Sequence, residues 1–160
     1  MTSKRLDHFG KINRESVVSF TWEHKKYFGY EGDSLASALL ANDIKVVGRS
    51  FKFHRPRGIM SCGVEESGAL VTVGQANRRD PNVRATTQEL YEGLVASGQN
   101  AFPSVNFDFG AINNYFSRFL AAGFYYKTFM GIPPFEWGSG TKIWMFFEKF
   151  IRKAAGMGKA

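Results

Sequence analysis

Apolar and polar residues alternate from Val18 to Trp22, where Val18, Phe20 and Trp22 are separated by Ser19 and Thr21. A period of two predicts a strand with one buried face. His24 to Lys26 supply a polar turn, and Tyr27 to Tyr30 read as the return strand of a hairpin. The period then changes at Glu31-Gly32-Asp33-Ser34. Asp33 or Ser34 can cap a helix whose inner face carries Leu35, Ala38 and Leu39, flanked by Ala36 and Leu40. Asn42 is the predicted stop, because asparagine tolerates left-handed backbone at a helix end. Ile44 to Val47 then forms either a short buried strand or an extended link.

A long loop is expected from Gly48 to Gly68, where Pro56, Gly58 and Gly63 interrupt several charges. Such a loop inside a small domain is usually functional, or the remains of something functional. Leu70 to Val73 reads as a strand and Asn77 to Asn82 as a polar turn. Between Val83 and Leu94, the alternation of Val83, Ala85 and Thr87 favours a strand, although Gln88 to Leu94 would also suit a helix. Together these elements predict an α+β domain, a mixed sheet with one helix packed across it. Phe102-Pro103 marks the exit. Ile112, Tyr115, Phe116, Phe119 and Leu120 then recur at helical spacing up to Gly123, and Phe124 to Trp137 form an aromatic connection. Thr141 can cap a last helix bearing Ile143, Phe146, Phe147, Phe150, Ile151 and Ala154. The expected division is a flexible start over 1–14, a domain over 15–100 and an aromatic helical extension over 101–160.

Composition sharpens the reading of that extension. The chain has 160 residues, with 16 Phe, 6 Tyr and 3 Trp, and many of these rings fall after Asn100. Aromatic side chains serve interfaces as well as cores, so the extension is read as a surface that docks on other protein. The formal net charge is +7, concentrated in Arg49 to Arg57 and in Lys142 to Lys159. No nucleic-acid motif accompanies it, so no nucleic-acid partner is expected. Lys142, Lys149, Arg152 and Lys153 flank the aromatic face of the last helix, which suits a membrane surface or a neighbouring domain. Packing on a neighbouring domain is preferred. No apolar stretch approaches the roughly 20 residues that span a bilayer. Met1 to Gly10 has no apolar core of a signal peptide, and a cytoplasmic location is expected.

The candidate chemistry is sparse. Gly138-Ser139-Gly140 lacks the strand, helix and third glycine of a dinucleotide fingerprint, and Gly156-Met157-Gly158 has nothing after it to hold a phosphate. His54 lies among cations, with Glu65 and Glu66 as the nearby carboxylates that could orient it. Arg49, Lys52, His54, Arg55 and Arg57 form a basic loop that can dock an acidic surface or bind an anion. Docking or self-packing is preferred, since no helix N-terminus or glycine nest lies nearby. Phe51 and Phe53 alternate with polar residues as an edge strand would.

Cys62 is the single cysteine, so an internal disulfide and an all-cysteine metal site are both excluded. It lies where plant-type ferredoxins place their cluster loop, with ligands at C-x4-C-x2-C spacing. Counted from Cys62, the next ligand positions hold Ser67 and Leu70. A degenerate cluster loop is therefore expected, without a metal or a cofactor in this chain.

The order of elements resembles the β-grasp, 2Fe–2S ferredoxin-like fold. Gly29-Tyr30-Glu31-Gly32-Asp33-Ser34-Leu35 through Asn42 is similar to the start of the alpha subunits of heterotetrameric sarcosine oxidases. So are Val46-Val47-Gly48-Arg49-Ser50-Phe51-Lys52-Phe53-His54-Arg55-Pro56-Arg57-Gly58-Ile59, Arg84 to Leu90, and Ala122 to Phe129. The resemblance covers nearly the whole chain. It implies a non-catalytic N-terminal domain, a ferredoxin module without its cluster, followed in the family by nucleotide-binding and folate-binding domains. It also implies a parent complex carrying FAD, FMN, NAD and tetrahydrofolate, which oxidatively demethylates sarcosine to glycine with release of hydrogen peroxide. The implied partners are the remaining domains and subunits of that complex. No catalytic or cofactor residue carries over, because the motifs that bear them are absent here. The alternative is a 2Fe–2S electron-transfer subunit of a related amine or amino-acid dehydrogenase.

Overall fold

The computed structural model describes residues 4–6, 8–118, 120 and 140–154. β1 (Asn13–Trp22) and β2 (Lys25–Glu31) form the predicted hairpin, with Phe20 opposite Tyr27 and Trp22 opposite Lys25. Glu23 and His24, the two residues between the strands, both take positive φ. That backbone matches the twist of a two-residue hairpin. Val18, Phe20 and Trp22 are buried on one face, as their alternation predicts.

Helix α1 (Leu35–Ala41) follows. Ser34 is its cap, accepting a hydrogen bond from the Ser37 N–H at 3.2 Å. A cap of this kind stabilises a helix by about 1 kcal/mol. Leu35, Ala38 and Leu39 are fully buried against Phe20, Leu94 and Val71. The helix lies close to β2 because residue 29 is glycine; a Cβ there would run into Leu90 and Ala38. The stop differs from the expectation. Asn42 keeps negative φ, and its side chain donates to the carbonyls of Ala38 and Phe28, each at 2.8 Å. Asp43 takes the left-handed turn instead.

Ile44 to Val47 is an extended link that buries Val47 completely. It leads into a small ladder of β3 (Gly48–Arg49) and β4 (Pro56–Arg57). Phe51 to Phe53 form a turn, not the expected edge strand. The Ser50 carbonyl accepts from His54 N–H and Ser50 N–H donates to Arg55, which folds the segment back before a strand can extend.

After a short 3-10 turn at Gly63–Glu65 come β5 (Leu70–Val73), β6 (Asp80–Arg84) and β7 (Leu94–Gly98). The strand favoured over Val83 to Leu94 is thus divided. Thr87 and Gln88 N–H groups turn back onto the Arg84 carbonyl, ending β6, and the chain reaches β7 only at Leu94. Among the described residues the main sheet has the order β2-β1-β7-β5-β6. β1 and β7 run parallel, with Phe20 opposite Leu94, and the other pairs are antiparallel. This is the expected α+β arrangement, with one helix across a mixed sheet.

The segment read as a flexible start carries an anchor. Arg5 forks onto the buried Asp33 carboxylate at 2.8 and 2.5 Å, and its guanidinium lies 5.2 Å from the Tyr30 ring centre. Past the sheet, Phe109–Asn114 is a 3-10 helix where a longer helix was expected. Phe119 and the connection over 121–139 fall outside the described residues, with Gly123. Helix α2 (Gly140–Ala154) forms the expected last helix, already helical at the glycine before Thr141.

Candidate functional site

Three groups converge beside β3 and β4. The first is the basic loop. His54 Nδ1 lies 2.7 Å from Asp108 Oδ2, and Arg49 Nε lies 4.0 Å from the same oxygen. Arg49 also donates to the Val105 carbonyl at 2.9 Å and to the His54 carbonyl at 3.0 Å. The Asp108 side chain is fully buried, and its other oxygen accepts from the N–H groups of Phe102 and Gly110. Burial pushes this carboxyl up, but the Phe102 N–H, His54 and the Gly110 N–H together hold it below its ordinary range. The orienting carboxylate of His54 is thus Asp108, not Glu65 or Glu66.

Other cations of the loop are turned the same way. Arg55 donates to Asn114 Oδ1 at 3.1 Å and stacks 4.7 Å from the Phe53 ring centre, which Lys52 approaches equally closely. Asn113 Nδ2 donates to the Lys52 carbonyl. Self-packing therefore accounts for Arg49, His54 and Arg55. They clamp the loop to residues 101–114, and no nucleophile stands within reach of the His54–Asp108 pair among the contacts described. Arg57 is different. It is exposed on β4, and no partner for its guanidinium occurs among the described residues.

The second group is an open cleft of about 450 Å³ beside Arg57, lined by Arg49, Ser67, Gly68, Leu70 and Gln99. Part of the basic loop and part of the degenerate cluster loop thus share one wall. Cys62 stands apart from it, exposed at the loop surface.

The third group is the loop over residues 58–69, built around Glu66. This residue is 1% exposed. Its carboxylate accepts from the N–H groups of Met60 and Ser61 at 2.8 Å, from Ala69 at 2.9 Å, and from Gly68. Burial alone would raise this carboxyl; the four backbone donors outweigh it and lower it from 4.5 to about 2. Glu66 was not singled out as a structural centre from the sequence, where it is indistinguishable from its exposed neighbour Glu65.

A 2Fe–2S cluster is held by four good ligands, usually thiolates. The residues present do not fit one. The chain has a single cysteine, Ser67 and Leu70 occupy the spaced positions, and four loop N–H groups are already bonded to Glu66. Among the described residues, no group of three or more His, Cys, Asp or Glu side chains could hold a metal ion.

The chain nevertheless has relatives. A family described as "2Fe-2S iron-sulfur cluster binding domain" matches residues 15–101. The chain is 54% identical over 161 aligned residues to the sarcosine oxidase subunit alpha of Rhizobium meliloti, a match that takes in all of this chain and 16% of that protein. The matched part is a fragment of that subunit's N-terminus. The sarcosine oxidase subunit alpha of Corynebacterium sp. (strain U-96) is 41% identical over 90 residues, 54% of this chain and 9% of that protein. The chain therefore spans well under a fifth of the length of either relative. Among solved structures, L-proline dehydrogenase from P.horikoshii matches 54% of this chain and 16% of its own, at 27% identity and a TM-score of 0.44. The family match covers more than half of the 160 residues, from the strand β1 to the end of the sheet, and the chain belongs to the 2Fe-2S iron-sulfur cluster binding domain family.

Proposed function

We propose that this chain is the N-terminal structural and docking domain of a sarcosine oxidase alpha subunit, without a cluster of its own. The proposed parent is a cytoplasmic, flavin-dependent complex that oxidatively demethylates sarcosine to glycine. It produces hydrogen peroxide and passes the one-carbon unit to tetrahydrofolate, using FAD, FMN and NAD bound elsewhere. The observation that carries the reading is the 54% identity to the Rhizobium meliloti protein, which extends over the whole chain and so includes the aromatic segment beyond the family match.

The described part of that segment supports a docking role. Phe102, Phe107, Phe109 and Phe116 are exposed, and Tyr115 is 87% exposed. Phe107 and Phe109 stack edge to face with ring centres 5.2 Å apart, and Phe102 adds a third ring 6.2 Å from Phe109. Contiguous exposed rings of this kind mark interaction surfaces. The clamp of Arg49, His54 and Arg55 fixes the base of the segment on the domain, so the rings are presented from a rigid support.

The test is co-expression of this chain, tagged, with the remaining domains and subunits of such an oxidase. Co-purification and sarcosine-dependent peroxide formation that needs the chain are expected. A monodisperse monomer that neither binds those proteins nor affects turnover would overturn the reading. Stoichiometric iron and sulfide in freshly purified protein would replace it with the electron-transfer alternative, which the family description favours and the donor set opposes.

A further inference from the structure

The two oxygens of Glu66 divide their work. Oε2 accepts from Met60 and Ser61 on the limb of the loop that precedes Glu66, and Oε1 accepts from Gly68 and Ala69 on the limb that follows. Four N–H groups from two limbs thus converge on one point. Such a concavity of backbone donors is a general means of binding an anion. Among the described residues no side-chain cation is bonded to this carboxylate, and peptide dipoles supply the compensating positive ends. The neck of the loop is equally specific. A Cβ at residue 68 would lie 2.6 Å from the Gly58 carbonyl and 3.1 Å from Glu66 Oε1, so the limbs approach only because Gly68 has none.

We infer that the loop over residues 58–69 is a built anion site occupied by the chain's own Glu66 carboxylate, which organises it in place of any external ligand. The inference goes beyond the proposed function and stands or falls on this chain alone. The site reads both charge and shape. In Glu66→Gln one oxygen becomes an NH2 group, setting a donor against the N–H pair of one limb. In Glu66→Ala four donors surround a void with the dimensions of a small carboxylate, which makes formate the natural probe.

Amide hydrogen exchange tests this in the full chain at Met60, Ser61, Gly68 and Ala69. Leu35 and Ala36, whose N–H groups bond to Gln88 and Ala85, serve as core references. Glu66→Ala should speed exchange of the four loop amides by about tenfold or more while the references hold. Sodium formate should restore their protection, and uncharged formamide should not. Glu66→Gln, which keeps the side-chain size, should speed exchange on at least one limb and decides the matter if the alanine variant does not fold. Wild-type exchange at all four amides in the folded variants, or no effect of formate on folded Glu66→Ala, would overturn the inference.

Discussion

His54 and Asp108 meet through a 2.7 Å contact across 54 residues of sequence, and the carboxylate in that contact is fully buried. The pair joins a loop that leaves the sheet early to a segment that leaves it late. Arg49 closes the third side, and the carboxylate is also held by two backbone donors.

Replacing Asp108 by asparagine keeps the shape and the acceptor for Phe102 and Gly110, and removes the charge facing Arg49 and His54. Stability should fall by about 1–3 kcal/mol, since truncating a buried charge partner strands the other. A lower urea midpoint with an unchanged slope would show it; an unchanged midpoint would mean that the clamp contributes nothing.

Gly110→Ala attacks the same clamp without touching its charges. A Cβ at this position would overlap the His54 ring, so the ring must leave Asp108 or the 3-10 turn must shift. The variant should lose about 1–3 kcal/mol, as overpacking does. His54 ring resonances should move in NMR spectra, while those of the distant Tyr27 ring stay in place.

Arg5→Met leaves Asp33 buried with, among the described residues, Ser37 Oγ and the Tyr30 N–H as its remaining donors. A loss of about 2–4 kcal/mol is expected, because an uncompensated buried charge remains. The double variant Arg5→Met with Asp33→Asn should recover part of that loss. Equal losses in both would place the cost in packing over Tyr30 instead.

Acid should weaken the fold. Asp33, Glu66 and Asp108 all have folded values below their ordinary ones, so the unfolded chain binds more protons as pH falls. Their stabilising contribution is complete above the unfolded value and is lost as pH drops through the folded one. For Glu66 that window runs from 4.5 down to about 2. Denaturation midpoints measured at several pH values should decline through this window in the wild type. The decline should be shallower in Glu66→Gln, and an identical slope would remove Glu66 from the account.

The hairpin and α1 were legible in the sequence because their signals are local. Alternation at Val18 to Trp22 and the cap at Ser34 act over a few residues, and the structure follows both. The division of β6 from β7 was not legible. Ala85 continues the alternation of Val83 but is buried by donating its N–H to Ala69 and accepting from Ala36, contacts made between distant segments. The His54–Asp108 contact was hidden for the same reason, although Asp108 before a short helical run carries the mark of a cap, and it does accept from Gly110 N–H. Glu65 and Glu66 differ only in which one the closing loop turns inward. Composition cannot express that choice; Gly68, whose missing Cβ lets the limbs approach, is the trace it left.

Because β1 and β7 are parallel neighbours at the middle of the sheet, with Phe20 against Leu94, β1 leaves the ribosome well before the partner it needs on that flank. Until residues 94–98 emerge, the hairpin has an open flank and α1 lacks the floor provided by Leu94 and Ala96. Translation therefore runs through a stage in which oily surface has been made but has no lasting place to go, and shelter by chaperones matters most during that interval.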